Sequence, residues 1–234
     1  MRLLLLSNST NSGETYLQHA SPVIKDFIGD IPRRILFIPY AAVTIDFDEF
    51  TRIVNEKFNE INHSVIPVHH SNNAAEAVKD AEIIVVGGGN TFRLLKMMQE
   101  NNIIEVIRQK VMDGTSFIGW SAGANVACPT IRTTNDMPVV QPDNFNALNL
   151  VSFQINPHYL DANPSGHAGE TRETRIKEFI ELNPDTWVIG LREGTMLKIE
   201  NQTIQYIGEK TARIFRKGEK SIELSKKDSF KFLL

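Results

Sequence analysis

The chain has 234 residues, 41% hydrophobic and 23% charged, an ordinary balance for a globular protein with one sizeable core. Its formal net charge of -3 argues against a nucleic-acid binder, and no apolar run approaches the roughly 18 residues of a membrane span. A single cysteine, Cys128, excludes an internal disulfide framework and fits a reducing cytoplasm.

The opening MRLLLLSNST has one Arg and a short apolar run, but no small-residue cleavage pattern, and polar residues cut it off early. It reads as a buried strand rather than a signal peptide. RRILFIPYA, SVIPVH, EIIVVGGG and SFIGWS follow the same pattern of short, continuously apolar segments, as expected for strands covered on both faces. Helical patterns lie between them. DFDEFTRIVNEKFNEI puts Phe47, Phe50, Val54 and Ile61 on one face, with Asp46 and Glu49 as a capping box. NAAEAVKDA is a shorter helix. NTFRLLKMMQENNIIEVIRQKVMDG reads as a long one, starting at the N-cap Asn90 and stopping near Gly114. Such alternation predicts an α/β fold, a mostly parallel sheet with helices on both faces.

The second half is less regular. LVSFQINPHY reads as a strand and GETRETRIKEFIEL as a helix closed by Asn183 and Pro184. TWVIGLREGTMLKIENQTIQYIGEKTARIFRK predicts an antiparallel C-terminal extension. With no repeat, low-complexity tract or linker, residues 1–234 are read as a single domain.

Gly119–Gly123, GWSAG, fits G-x-S-x-G between a strand and small residues. A nucleophile on a sharp strand-to-helix turn needs small neighbours two positions away on either side. Ser121 is therefore the candidate nucleophile, and the Ala122 N–H would face a developing oxyanion. In VVGGGNTF, three glycines enter a helix N-terminus. The segment fits neither a dinucleotide loop nor a phosphate loop, and Gly89 N–H is the candidate second oxyanion donor.

Of six histidines, His158 in INPHYLD closes an apolar strand, where open α/β sheets place their sites, and is the candidate base. His69 and His70 end a strand and are expected to be exposed or capping; His19 and His63 are expected at the surface. A metal set of His158, Asp161 and His167 is disfavoured, because H-E-x-x-H and a cysteine pair are both absent. Two carboxylates compete to orient the imidazole: Asp136 in TTNDMPVV and Glu193 in GLREGT. The sequence does not choose between them.

Together GGGNTF, GWSAGANVACPTIRTTNDMP, NPHYLD and GETRETRI resemble the peptidase E family, cytoplasmic α-aspartyl dipeptidases of the serine type, over most of the chain. The resemblance implies a class I glutamine amidotransferase-like (flavodoxin-like) fold and cleavage of small peptides with an N-terminal aspartate, without metal or cofactor. It matches Ser121 to the nucleophile, His158 to the base, and Gly89 and Ala122 to the oxyanion donors. Asp136 and Glu193 each match a proposed third member. It also matches Arg172 to the cation that holds the aspartyl carboxylate, a role suited to a planar bidentate guanidinium. Nucleic-acid and membrane partners are not expected, and a monomer or a homodimer is. The alternatives are a cyanophycinase-like peptidase, an α/β-hydrolase esterase with unusually tight spacing, and a non-catalytic amidotransferase-like binding protein.

Overall fold

A computed structural model describes residues 1–163, 165, 166 and 168–234. The first half runs β1 (Arg2–Leu6), α1 (Ser21–Ile28), β2 (Ile35–Ile38), α2 (Phe47–Asn59), β3 (Val65–Pro67) and α3 (Ala74–Asp80). It continues through β4 (Ile83–Val86), α4 (Thr91–Glu100), α5 (Ile104–Met112), β5 (Ser116–Trp120) and the short α6 (Ala122–Asn125). Then come β6 (Gln154–Asn156), α7 (Arg172–Leu182), β7 (Val188–Gly190), β8 (Met196–Glu200), β9 (Thr203–Ile207), β10 (Ala212–Phe215) and β11 (Ile222–Leu224).

The larger sheet has the order β3-β2-β4-β5-β1-β8-β9. Its first five members pair in parallel, while β8 runs antiparallel to both β1 and β9. The smaller sheet, β11-β10-β7-β6, is antiparallel except for the β6–β7 pair. This is the mostly parallel α/β architecture with antiparallel C-terminal strands that the patterning predicts.

The strands are continuously apolar because both faces are covered. Along β1, Leu3 and Leu5 pack in one apolar cluster with residues of α3, α4 and α5, such as Val78, Leu94 and Ile107. Leu4 and Leu6 alternate to the other face, against Phe27 of α1 and Phe50, Val54 and Phe58 of α2. The first of these clusters also takes in Ile155, Ile189 and Ile214 of the smaller sheet, so the two sheets share apolar contacts.

Four expectations need correction. The long helix after Asn90 is two helices, because Asn102 adopts φ 54° after α4 and interrupts the ladder. Only Gln154–Asn156 of LVSFQINPHY pairs as a strand; before it, Leu150 N bonds back to Ala127 O and Ser152 Oγ to Leu233 O. The side chain of Asp46 caps Glu49 N at 2.7 Å, but Glu49 turns to Arg52, so only half the capping box forms. Finally, His63 is buried with Nε2 2.8 Å from Gly29 O, and the His19 side chain is only 8% exposed, so neither is a surface residue.

Candidate active site

The carboxyl ends of β1, β4 and β5 lead into one cleft of about 850 Å³, where an open α/β sheet is expected to bind its ligand. At the end of β5, Ser121 holds φ 52° and ψ -111°, a conformation in which few residues other than glycine are found. Its N–H bonds to Leu6 O of β1 at 3.0 Å. The flanking glycines permit this turn. A Cβ on Gly119 would lie 2.4 Å from Gly123 O, and one on Gly123 would lie 2.2 Å from Val86 O. Small residues at these two positions are thus a steric requirement.

The chain after β6 brings the imidazole over. His158 also has a positive φ, 52°, and its Nε2 is 3.0 Å from Ser121 Oγ. Its Nδ1 is 2.8 Å from Glu193 Oε1, in the loop between β7 and β8. Of the two competing carboxylates, Glu193 is the one that meets the imidazole. Asp136 faces elsewhere: its Oδ2 accepts from Thr91 N at 2.7 Å, Thr91 Oγ1 at 2.6 Å and Thr134 Oγ1 at 3.1 Å, which anchors it at the N-terminus of α4.

Two residues that no motif pointed to hold this arrangement in place. Ser7, buried just past β1, accepts from His158 N at 2.9 Å and donates to Leu191 O at 2.8 Å. Beside it, Asn8 Oδ1 accepts from Gly194 N at 2.8 Å. The polar stretch that ends β1 was the only available signal, and it carries no recognisable pattern.

Backbone donors gather at the same point. Gly88 abuts the serine, since a Cβ there would lie 3.1 Å from Ser121 Cβ. Gly89 has φ 133°, and a Cβ on it would come within 2.3 Å of Ala41 O. The N–H groups of Gly88, Gly89 and Ala122 have no acceptor among the described residues, and Gly88 and Gly89 line the cleft beside Ser121.

Arg172, the first residue of α7, lines the cleft with Asp136, Asn135 and Thr134. It makes no ion pair among the described residues. Burial pushes its guanidinium below the ordinary arginine value, Arg175 adds to that, and Asp136 opposes it. A half-buried cation without a partner suits an anionic ligand.

The disfavoured metal set is not assembled in the described residues. His158 is engaged as above, Asp161 is bonded to Arg192, and His167 lies outside the described residues. Among the described residues, Asp48, His69 and His70 bring three ligand-type atoms within 4.8 Å of one another, but they do not line the cleft. No helix among the described residues is long and apolar enough to cross a membrane.

A hydroxyl, an imidazole and a carboxylate in series at the edge of a parallel sheet, beside unpartnered amide protons, is the layout of a serine-type hydrolase. Comparison supplies the family. The profile of Peptidase family S51 matches residues 3–207, and the chain belongs to that family of serine-type peptidases. A protein named Peptidase E from a Nostoc species is 51% identical over 233 residues, covering all of this chain and 96% of its own. A Peptidase E from Salmonella paratyphi A is 46% identical over 224 residues, 96% of this chain and 97% of its own. The crystal structure of a peptidase from an acI-B1 Actinobacterium shares the fold, with TM-score 0.72 and 20% identity over 98% of this chain and 96% of its own.

Proposed function

We propose that this chain is a serine dipeptidase that hydrolyses Asp-Xaa dipeptides through an acyl-enzyme. The observation that carries the reading is the relay from Ser121 Oγ to His158 Nε2 at 3.0 Å and from His158 Nδ1 to Glu193 at 2.8 Å, opening on a cleft whose Arg172 makes no ion pair among the described residues.

In this reading His158 takes the Ser121 proton as Oγ attacks the aspartyl carbonyl. Glu193 fixes the tautomer and stabilises the imidazolium that forms. The N–H groups of Gly89 and Ala122 receive the oxyanion, each worth about 3 kcal/mol of transition-state stabilisation. His158 then protonates the leaving amine, and a water molecule, activated by the same imidazole, releases aspartate from Ser121.

Arg172 receives the aspartyl side-chain carboxylate as a charge-assisted, bidentate pair. An uncharged asparagine in its place leaves the guanidinium poorly compensated, which is how the amide is rejected. The one thiol, Cys128, is buried and free, in keeping with a cytoplasmic setting.

The test is a substrate panel of Asp-Leu, Asn-Leu and β-Asp-Arg with the wild-type protein and Arg172→Ala. Cleavage of Asp-Leu alone, lost in R172A chiefly through KM, supports the reading. Equal cleavage of Asn-Leu, or cleavage confined to β-Asp-Arg, would refute it.

A further inference from the structure

Asp136 is in the cleft, yet it does not touch His158, and only one of its oxygens is occupied. Oδ2 takes all three hydrogen bonds from Thr91 and Thr134, while Oδ1 has no donor among the described residues and is not sealed from solvent. The carboxylate is therefore held by Oδ2 in a residue that lines the cleft, with Oδ1 left accessible. Arg172 feels its charge without forming an ion pair with it among the described residues.

Resting on the Asp-Xaa reading, we infer that Asp136 Oδ1 receives the free α-ammonium of the substrate, so that Asp136 and Arg172 together read the amino-terminal aspartyl residue. An aspartyl residue carries both charges from a single carbon: the ammonium is bonded to Cα, and the carboxylate is one methylene away. Its two receptors must be of opposite sign, close to each other and close to the nucleophile. Asp136 and Arg172 line the same cleft as Ser121 and meet that requirement.

The chain keeps the two groups within one substrate residue's reach. Thr91 N is two residues beyond Gly89, no more than about 7.6 Å from it at 3.8 Å per residue. Asp136 Oδ2 is 2.7 Å from Thr91 N, so its separation from Gly89 N has an upper limit of about 10 Å. From an oxyanion donor, through the carbonyl oxygen and the α-nitrogen, to an ammonium acceptor takes two hydrogen bonds and the width of one residue, about 9 Å. The helix N-terminus thus serves two ends of one substrate: Gly89, just ahead of it, faces the oxyanion, and Thr91 holds the carboxylate that faces the ammonium.

This assignment confines cleavage to peptides with a free amino terminus. N-succinyl-leucine is Asp-Leu without its amino group, and comparing the two isolates that contact. For the wild-type protein, kcat/KM should favour Asp-Leu by about thirtyfold or more, as expected for a hydrogen bond between charged groups. In D136N the amide oxygen can still cap Thr91 N, and the preference should shrink to a few-fold or vanish. Because the ratio is taken within one preparation, it does not depend on the fraction folded.

An unchanged ratio in D136N, with both substrates slowed equally, would overturn the assignment and make Asp136 a group acting on catalysis alone. A wild-type measurement stands beside it: aspartate should inhibit Asp-Leu cleavage at least tenfold more strongly than succinate, and equal inhibition would also overturn the assignment. Failure of the wild-type protein to cleave Asp-Leu at all would instead refute the substrate reading, and this inference would fall with it.

Discussion

Ser7 ties the two halves of the relay together: its hydroxyl accepts from His158 N at 2.9 Å and donates to Leu191 O at 2.8 Å, two residues before Glu193. One buried side chain at the end of β1 thus fixes both the loop that supplies the imidazole and the loop that supplies its carboxylate. The positive φ of His158 makes that anchorage necessary, because the residue is not held by a strand ladder.

Replacing Ser7 with Ala leaves the His158 N–H without its acceptor, while Leu191 O keeps only its bond from Tyr159 N. Stability should fall by about 1–3 kcal/mol in chemical denaturation. Displacing the imidazole by a fraction of an ångström should lower kcat about 10- to 100-fold, with KM little changed. Steady-state kinetics with wild-type kcat would show that Ser7 does not position His158.

Glu193→Gln preserves the shape of the side chain and removes the charge behind His158 Nδ1. With the tautomer no longer fixed and the imidazolium unsupported, kcat should fall about a thousandfold or more. Binding of aspartate, measured by calorimetry, should be nearly unchanged, because in the proposed reading Arg172 and not Glu193 receives the ligand.

Gly89→Ala forces a Cβ to within 2.3 Å of Ala41 O at φ 133°, so the segment must shift. The displaced N–H should cost about a hundredfold in kcat. The strain should also lower the melting temperature, read by differential scanning calorimetry. The same change at Gly13, where a Cβ meets nothing within 4 Å, should leave kcat near wild type.

His19 gives a pH dependence of stability. Burial lowers its pKa below 6.5, and the carboxylates of Glu14 and Glu193 pull it partly back. The unfolded chain therefore binds this proton more readily than the folded one. The stability that His19 contributes is complete above the unfolded value and is lost as the pH falls toward the folded one. Denaturation midpoints should drop as the pH falls below about 6.5, and His19→Gln should flatten that slope.

The larger sheet and the sharp turn at Ser121 are legible in the sequence because both depend on local chemistry. Continuous apolar runs mark strands covered on two faces, and glycines at 119 and 123 are demanded by backbone atoms of Gly123 and Val86. What depends on distance across the fold is not legible. Asp136 and Glu193 both follow a strand or a turn, and only the packing of the β7–β8 loop against Ser7 and Asn8 brings Glu193 to the imidazole. The break at Asn101 and Asn102 carries no glycine or proline to mark it, although the buried face moves from Leu94, Leu95 and Met98 in α4 to Ile107 and Val111 in α5, nearly half a turn out of phase. His63 and His19 read as surface residues because a histidine buried against a single carbonyl, or beside a carboxylate, leaves no pattern in its neighbours.

Ser121→Ala is the most direct test of the nucleophile. With correct folding verified by circular dichroism, turnover of Asp-Leu should fall at least about a thousandfold, and aspartate should still bind. Turnover within tenfold of wild type in that variant would contradict a covalent mechanism through Ser121.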